Sequence, residues 1–341
     1  MDVTIKTIAE EAGVSTSLVS QVLNDRPVRV SQETRKRIHE VAKRHHYVSN
    51  KLASSLKSKQ TNIIALAAPF TPNGFFSNLI YHVQYYAQQA GYMSMVVNTF
   101  NQAKAEGEAL ALYQSGMFDG MLLACRNEDT SAAILSRMQE SSYPFVYVDR
   151  GVGDVPATMV SSDHAQVGRM LTEAMLDAGK RDIVYLYNRE DSNTTLLLRR
   201  SGYDRAHAER SLTPTHLPFS CIDGERTTYV EAIGEALATL GRQPDAIFAH
   251  SGYYLPALVY ACKQVGFKLD RMYFTTVDGY SFSQGRLDVG ETMRQVNGRC
   301  AIAIQDIDTI AKEAVRLLLD RIQGRSEDAE HVMVPVDVVE L

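Results

Sequence analysis

Residues 4–24 read T-I-K-T-I-A-E-E-A-G-V-S-T-S-L-V-S-Q-V-L-N, and this stretch decides how the chain is organised. Apolar residues recur at helical spacing on either side of Gly13, which predicts two short helices joined by a tight turn. Thr4 and Ser15 are the expected caps of these helices, because a hydroxyl can accept hydrogen bonds from the first-turn N–H groups. The pattern predicts a helix-turn-helix.

The second of these helices has one apolar and one polar face. The apolar face consists of Leu18, Val19, Val22 and Leu23, and the polar face of Thr16, Ser17, Ser20 and Gln21. A glutamine can pair bidentately with adenine, and hydroxyl side chains suit several bases, so the polar face could read a DNA major groove. The alternative is that both helices are ordinary parts of a larger core.

The charge distribution favours the DNA-binding interpretation. The whole chain has 35 Lys+Arg and 40 Asp+Glu, a net charge of −5. Residues 1–60 contain 11 Lys+Arg and 6 Asp+Glu, so they carry +5 and the remaining residues carry −10. A basic head on an acidic body is expected when only the head meets phosphate.

Length and composition set further limits. A chain of 341 residues suits a small head and two lobes. No basic-then-apolar leader follows Met1, and the longest apolar stretch, near residues 63–68, is too short to cross a bilayer. We therefore expect a cytoplasmic protein without a membrane segment. The four scattered cysteines predict buried thiols rather than disulfides or a metal site: Cys125, Cys221, Cys262 and Cys300.

A third helix is expected from Ser31 to about His45, followed by a Ser- and Lys-rich segment over residues 50–59. The basic residues of this helix could contact phosphates or simply form a solvated face. The segment after it is too short to be stable as an isolated helix. It is either a flexible linker or a helix that forms only on DNA, where Leu56 would wedge between base steps in the minor groove.

The head and linker resemble those of the lactose/galactose repressor family (LacI/GalR). The matching motifs are T-I-K-T-I-A-E-E-A-G-V-S, V-S-Q-V-L-N, V-S-Q-E-T-R-K-R-I and Y-V-S-N-K-L-A-S-S-L. The resemblance implies base contacts by Thr16, Ser17 and Gln21, phosphate contacts by Thr4, Ser15, Ser20 and Asn24, and a minor-groove hinge helix with Asn50, Ala53 and Leu56. The loop 25–29 departs from the lactose-type head, so its contacts are not transferred.

From residue 62 onward, short β-rich runs alternate with amphipathic helical stretches. Strands are predicted at 63–68, 93–97, 120–124, 145–148, 183–187, 246–249 and 272–277, and helices at 76–90, 166–178, 228–240, 255–265 and 303–322. This alternation predicts an α/β core of two parallel sheets, with a ligand in the crevice at the carboxyl ends of the strands.

The core is similar to the effector-binding core that this family shares with periplasmic sugar-binding proteins. The motifs are F-F-S-N-L-I, A-G-Y, F-D-G-M-L-L-A, V-D-R, R-S-G-Y, D-A-I-F-A and V-D-G-Y. The resemblance implies a head at 1–48, a hinge at 49–60 and a two-lobed core at 61–341. Its N-subdomain would comprise about 62–161 and 291–320, and its C-subdomain about 162–290 and 321–341. The chain ends without a leucine-heptad extension, which favours a homodimer.

Alignment with the family's pocket implies the effector-binding residues Phe75, Phe76, Asp163, Arg199, His250 and Asp278. An aromatic face with Arg and Asp beside it suits a polyol. Phe75 and Phe76 could instead be core residues, Asp163 a helix cap and His250 a structural histidine. Two departures leave the ligand class open: His250-Ser251-Gly252-Tyr253 replaces the usual Asn-Asp, and Lys180 follows Gly179 where histidine is usual. Arg226, Tyr253, Tyr254 and Tyr280 could also line the crevice.

The sequence contains no well-formed enzyme motif. Gly279-Tyr280-Ser281-Phe282-Ser283 lacks the second glycine of a nucleophile elbow, and His45-His46 lacks a metal-binding spacing. We therefore expect a cofactor-free, dimeric transcription repressor that binds a near-palindromic operator and is released by a carbohydrate. The alternatives are a regulator activated by a purine-type corepressor, a plain solute-binding protein, and a sugar-processing enzyme fused to a DNA-binding head.

Overall fold

In the computed structural model the chain forms two units, Met1–Thr61 and Asn62–Leu341. The structure describes residues 3–24, 27–47, 60–69, 74–100, 102–125, 136, 143–152, 157–191, 193–221, 226–278, 299–326 and 328–341. The predicted fold class is confirmed. The described part of the first unit is helical, and the second contains two sheets covered by helices.

The first unit contains α1 (Ile5–Ala12), α2 (Thr16–Leu23) and α3 (Gln32–Arg44). Gly13 ends α1 in the left-handed region with φ 67°, where a residue without Cβ is favoured. The Ser15 hydroxyl accepts from the Leu18 N–H at 3.2 Å, and the Thr4 N–H donates to Thr7 Oγ1 at 3.4 Å. The predicted helix, turn, helix order and the Ser15 cap are thus confirmed.

The core of the head is a single apolar cluster shared by the three helices. Its buried members are Ile8, Ala9, Ala12, Val19, Val22, Ile38, Val41 and Ala42. The Ser31 hydroxyl caps α3 by accepting from the Thr34 N–H at 3.1 Å. The inward residues recur at helical spacing, so burial of one stripe per helix positions α2 with its polar face outward.

The second unit alternates strands and helices, as predicted. In chain order its elements are β1 (Ile63–Ala68), α4 (Gly74–Gln89), β2 (Met93–Asn98), α5 (Ala103–Gln114), β3 (Gly120–Leu123), β4 (Phe145–Val148), β5 (Met159–Ser162), α6 (His164–Asp177), β6 (Ile183–Asn188), α7 (Thr194–Glu209), β7 (Thr215–Phe219), α8 (Arg226–Ala238), β8 (Ala246–Ala249), a 3₁₀ turn (Gly252–Tyr254), α9 (Leu255–Gln264), a second 3₁₀ turn (Leu269–Arg271), β9 (Tyr273–Val277), β10 (Arg299–Gln305), α10 (Ile307–Ile322), β11 (His331–Val334) and β12 (Val336–Glu340).

These strands form two six-stranded sheets, one for each lobe. The order is β11-β5-β4-β3-β1-β2 in the first sheet and β12-β10-β9-β8-β6-β7 in the second. All described pairings are parallel except that of β12, which runs antiparallel to β10. Alternate residues of β1 enter different buried clusters, with Leu66 facing α4 and α10 and Ala65 facing α5. Burial on both faces explains why β1 reads as a continuous apolar run.

The chain passes between the two sheets at three single residues. Asp163 separates β5 of the first sheet from α6, which packs on the second. Asp306 separates β10 of the second sheet from α10, which packs on the first. Pro335 separates β11 of the first sheet from β12 of the second. The lobes are therefore joined by three tight connections.

Because of these crossings, two of the residue ranges expected for the lobes contain elements of both lobes. Within 291–320, β10 belongs to the second sheet and only α10 packs on the first. Within 321–341, β11 belongs to the first sheet. The predicted helix 303–322 also began too early, because residues 303–305 pair with β9 and β12 and the Asp306 side chain caps α10 at Thr309 N. Hydrogen bonding to distant strands outweighed the local helical pattern.

Two glycines allow α6 and α7 to cross closely. A Cβ on Gly168 would lie 2.0 Å from the Arg199 carbonyl oxygen, and one on Gly202 would lie 2.0 Å from that of Ala165. No larger residue fits at either position without separating the helices. The crossing therefore fixes the turn of α7 that carries Arg199.

We expect Gly168→Ala to lower the free energy of unfolding by about 1–3 kcal/mol, as overpacking does elsewhere. Gly234→Ala is the matched control, since a Cβ there meets no atom within 4 Å and alanine favours a helix by up to about 1 kcal/mol. Urea unfolding, with the midpoint and slope fitted separately, measures both. Equal effects of the two substitutions would contradict the close crossing.

Candidate functional site

The outward face of α2 carries the predicted base-reading residues. Thr16 and Ser17 are exposed and Gln21 is half-buried, while Val19 and Val22 beneath them are buried in the head core. The arrangement leaves hydroxyl and amide groups on one surface of a short helix. Such a surface can donate to and accept from base edges.

The four predicted phosphate-contact residues lie at the ends of the helices or on the outer side of α2. Ser15 Oγ already accepts the cap bond from α2, so its O–H remains for an outside acceptor. The Asn24 side chain donates to the Ser20 carbonyl oxygen at 2.7 Å, and Thr4 is exposed. The predicted hinge residues Asn50, Ala53 and Leu56 lie outside the described residues.

The basic residues of α3 are not equally available. Arg44 and His45 both contact the Glu11 carboxylate, and the hydrogen bond from His45 lowers the pKa of Glu11. This internal cluster engages the charge of Arg44 within the head. Of the other basic residues of α3, Arg37 and Lys43 are exposed, and Lys36 is exposed but lies 3.9 Å from the Glu40 carboxylate.

In the second unit, polar residues follow the strands directly at the carboxyl edges of the sheets. Asp149 and Arg150 follow β4, His250 follows β8 and Asp278 follows β9, while Gln305 ends β10. In open α/β sheets this edge is where ligands bind. The structure thus gathers the predicted Arg199, His250 and Asp278 with residues that the sequence did not single out.

Arg199 is buried on α7 and reaches across the strand ends. Its Nη1 donates to the His250 carbonyl oxygen at 3.0 Å, and its Nη2 lies 3.3 Å from His164 Nδ1. The Nε group is buried and has no hydrogen-bond partner among the described residues. A buried donor left unpaired costs free energy, so this N–H is suited to a ligand.

His164 links Arg199 to the opposite lobe. A guanidinium can only donate, so Nδ1 of His164 must accept and the neutral ring carries its proton on Nε2. That Nε2 lies 3.2 Å from Asp149 Oδ1, within ion-pair distance but poorly aligned for a hydrogen bond. Burial raises the pKa of Asp149, but the contact with His164 and the positive charges of Arg199 and Arg150 outweigh it and lower the pKa.

His250 belongs to a second group centred on Asp191. The Tyr254 hydroxyl donates to the Asp191 carboxylate, and His250 Nε2 lies 3.4 Å from Asp191 Oδ2. The His250 ring packs on that of Tyr254 with centroids 5.1 Å apart. Burial raises the pKa of Asp191, but the contacts with His250 and Tyr254 and the charge of Arg150 together lower it. Asp191 is therefore held as a carboxylate.

Asp278 is held in the left-handed backbone region, with φ 51°, where a non-glycine residue is strained. Its Oδ2 accepts from Gln305 Nε2 at 2.6 Å and its Oδ1 from the Gln305 N–H at 3.2 Å. Burial raises the pKa of Asp278, although Arg199 and the bonds from Gln305 oppose the rise. A strained residue at a crevice edge is a pointer to function rather than to stability.

Phe75 and Phe76 lie in the first turn of α4. Both rings are buried and meet edge to face at 5.1 Å. The Arg150 guanidinium lies over the Phe76 ring, 5.3 Å from its centroid. Both rings belong to the apolar cluster of the first lobe, and Phe76 also contacts the polar edge through Arg150.

Asp163 is an exposed helix cap. Its Oδ1 accepts from the Gln166 N–H at 2.9 Å at the start of α6. Tyr254 is buried and Tyr253 is exposed, whereas Tyr280 and the side chain of Arg226 lie outside what the structure describes.

Five polar residues of this region were missed by sequence reasoning: Asp149, Arg150, His164, Asp191 and Gln305. Asp149 and Arg150 could have been found, because they directly follow a predicted strand and belong to the V-D-R motif. The others lack such a signal, since their partners lie far away in the sequence. His164, for example, contacts residue 199 on a different helix.

The arrangement suits reversible binding of a polar molecule. Carboxylates, a guanidinium and amide groups converge, with aromatic rings beside them. An open cavity of about 370 Å³ adjoins Gln305 and is lined by Asn78, His82, Ile304, Gln305, Asp306, Ile307, Asp308 and Asp337.

Among the described residues no group of three His, Cys, Asp or Glu could hold a metal ion. Within the same part of the chain, no helix is both long and apolar enough to span a membrane.

Two family descriptions match this sequence. Residues 4–50 match the bacterial regulatory proteins of the lacI family. Residues 31–293 match the periplasmic binding proteins and sugar binding domain of the LacI family, which is more than half of the chain.

Individual relatives extend the match over nearly the whole length. The HTH-type transcriptional repressor PurR of Photobacterium profundum is 26% identical over 95% of this chain and 93% of its own. The ribose operon repressor of Haemophilus influenzae is 28% identical over 95% and 93%. A solved lac repressor dimer, bound to operator and the anti-inducer ONPF, has a TM-score of 0.82 at 20% identity over 99% of this chain and 98% of its own.

The raised pKa of Asp278 means that folding disfavours its charge. We expect Asp278→Asn to raise Tm at pH 7. The Gln305 side-chain amide, which now donates to Asp278, must turn over, so that its Oε1 accepts from the new amide while the Gln305 N–H still donates to the asparagine oxygen. The gain should shrink as the pH falls from the folded-state pKa of Asp278 towards its lower unfolded-state pKa, below which the wild-type carboxyl is neutral in both states.

Asp245→Asn is the control of opposite sign. Backbone hydrogen bonds from Asp182 and Arg181 lower the pKa of Asp245, so its charge stabilises the fold above the unfolded-state pKa and ceases to do so in acid. Thermal melts of the three proteins between pH 4 and pH 7.5 test both signs. A lower Tm of Asp278→Asn at pH 7 would refute the expectation.

Proposed function

We propose a mode of action for this chain from the premise that it belongs to the LacI family of bacterial regulatory proteins. It is a ligand-responsive, DNA-binding transcriptional repressor with an effector-binding core. What remains to be assigned is which residues contact the DNA, which hold the effector and how one site affects the other.

The DNA contacts are assigned to the outward side of the head. Thr16, Ser17 and Gln21 would read base edges in the major groove, because they share the exposed face of α2. Thr4, Ser15, Ser20 and Asn24 would hold phosphates beside it, the last three at the two ends and outer side of the same helix. This assignment is supported by the burial of the opposite face of α2 in the head core.

The hinge assignment rests on sequence resemblance alone. Asn50, Ala53 and Leu56 would enter the minor groove at the operator centre, where an inserted leucine unstacks a base step and bends the duplex. Two heads of a dimer would then read the half-sites of a near-palindromic operator.

The effector is assigned to the crevice at the strand ends and is a carbohydrate. The single observation that carries this is the convergence of Arg199, Asp278 and His250, with the Arg199 Nε donor buried and unpartnered among the described residues. A polyol supplies adjacent hydroxyls that both donate and accept, which matches such a mixture. Phe76 would offer an apolar ring face, and Phe75 would support it from the core.

Asp163 is assigned to the chain crossing rather than to ligand contact. Its carboxylate is occupied at the N-terminus of α6, where it stabilises the helix that carries His164. An effector seated between the lobes would change their relative angle by favouring one arrangement, and the hinge segments would respond. We infer that this weakens operator binding, so that the carbohydrate acts as an inducer.

The protein acts as a homodimer through an apolar face of the first lobe, which we call the tyrosine-methionine face. It consists of Tyr81 and Tyr85 on α4 and Met93 and Met95 on the neighbouring edge strand β2, all exposed by 40–65%. Exposed aromatic and methionine side chains beside an open strand edge suit a self-complementary contact. We place the protein in the cytoplasm, where its operator is, and assign no catalytic activity to it.

Gln21→Ala should relax base choice at one position in each half-site, at a cost of roughly 1–3 kcal/mol on the preferred sequence. Gln32→Ala is the control, because Gln32 is an exposed head residue outside α2. Selection of bound duplexes from random DNA, followed by competition with single-base variants, gives the preference of each protein. Uniform weakening on all sequences would contradict base reading and would assign Gln21 to backbone contact.

Tyr81→Glu should weaken the dimer by at least tenfold, because it places a charge on the tyrosine-methionine face. The control is Leu197→Glu, which introduces the same charge at an exposed apolar residue of α7 in the other lobe. Sedimentation velocity over a concentration series measures both dissociation constants. An unchanged constant for Tyr81→Glu, or equal weakening by both, would show that the dimer uses another surface.

A further inference from the structure

We propose that the crevice is built to exclude anions, so that the effector is an uncharged, hydroxyl-rich molecule and not a phosphorylated sugar. The inference rests on the proposed effector site and narrows its ligand class. Proteins bind phosphate with cationic side chains and with helix N-termini. Among the crevice residues that the structure describes, the Arg150 and Arg199 guanidinium groups and the N-termini of α6, α7 and α10 already interact with the protein's own side chains.

Arg150 lies among the chain's own carboxylates. Burial disfavours its positive charge and lowers its pKa, while Asp149, Glu106 and Asp191 support the charge. Asp149 and Asp191 are themselves ionised, since their pKa values lie below the ordinary value. One face of the guanidinium also lies over Phe76. An incoming phosphate would meet three acidic side chains around this one cation.

Arg199 is similarly engaged. Its two Nη groups contact the His250 carbonyl oxygen and His164 Nδ1, and Asp149 and Asp278 lie close enough for each to sense its charge. The remaining buried donor is Nε. A phosphate is best held by the two-pronged edge of a guanidinium, whereas a single N–H is enough for one hydroxyl.

Three helix N-termini beside the strand ends, those of α6, α7 and α10, are also capped by side chains. Asp163 caps α6 at Gln166 N, and Asp306 caps α10 at Thr309 N. Asn193 caps α7 at Leu196 N. Two of these three caps are carboxylates, so the partial positive charge of the helix end already faces an anion.

The lining of the cavity beside Gln305 favours a ligand that donates hydrogen bonds. The cavity beside Gln305 has three carboxylates in its lining, Asp306, Asp308 and Asp337, and no Lys or Arg. Gln305 Oε1 is buried without a described partner. Carboxylate and amide oxygens accept hydrogen bonds, which sugar hydroxyls can provide and an ionised phosphate cannot. Asp306 and Asp308 already accept from the Thr309 N–H and the Tyr86 hydroxyl, so these carboxylates act chiefly by repelling an anion, and Gln305 Oε1 is the acceptor left for a ligand.

The test uses matched pairs on the full-length protein. Glucose, fructose and ribose are each compared with their monophosphates by thermal shift and calorimetry, with sucrose and cellobiose as larger neutral probes. Inorganic phosphate is titrated against sodium chloride of equal ionic strength. We expect a neutral member to bind at least tenfold more tightly than its phosphate and inorganic phosphate to give no shift beyond the salt control.

A second experiment removes one negative charge from the crevice and measures the affinity for anions. Asp191→Asn keeps the size and hydrogen-bonding capacity of the side chain but frees Arg150 of one carboxylate, so it should raise the affinity for phosphorylated probes or inorganic phosphate. Asp182→Asn is the control with the same change in net charge, at a carboxylate that pairs with Arg242 on the surface.

The outcomes separate the two proposals. A phosphorylated sugar that binds more tightly than its neutral partner would overturn the anion exclusion and leave the carbohydrate site standing. If no sugar of either kind binds, the proposed carbohydrate effector is wrong. The inorganic phosphate titration then decides the anion exclusion alone, since a specific stabilisation of the wild type would refute it.

Discussion

The connection between the two lobes by three single residues is the constraint on which the core depends. Asp163, Asp306 and Pro335 each separate an element of one lobe from an element of the other. Links this short cannot absorb a large displacement, so any change in the angle between the lobes must be a rotation about these points. The crevice residues lie at the strand ends that lead into the same links, with Gln305 directly before Asp306. A ligand in the crevice would therefore contact residues that adjoin the points about which the lobes rotate.

Charge burial is the second constraint, and it explains why the crevice is dense in paired groups. A buried charge is tolerated when it is paired and hydrogen-bonded. Asp149, Arg150, Arg199 and Asp191 satisfy this through one another and through His164, His250 and Tyr254. Asp278 is the exception, since burial raises its pKa and its backbone is strained. Asp278 is therefore the residue of this network whose interactions a ligand could improve most.

Much of the fold could be predicted from local pattern, and the reasons are physical. The caps at Ser15 and Ser31, the turn at Gly13 and the buried strand 63–68 follow from interactions within a few residues, so the sequence displays them directly. Strand β10 was missed because its neighbours β9 and β12 determine its conformation. Arg199 and Asp278 were found only through resemblance. His164 and Asp191 depend on partners brought together by the fold, so neither spacing nor composition could reveal them.

His164 connects the crossing between the lobes to the proposed ligand site. It lies on α6, directly after the crossing at Asp163, and contacts Asp149 of the first lobe and Arg199 of the second. Gly168 and Gly202 let α6 and α7 pack in direct backbone contact, so a displacement of the turn that carries Arg199 would be passed to the turn that carries His164. A ligand that draws the Arg199 guanidinium toward itself therefore also acts on the His164 contact with Asp149. Because that contact spans the lobes, ligand recognition by Arg199 is linked to the inter-lobe contact through the neighbouring His164 side chain.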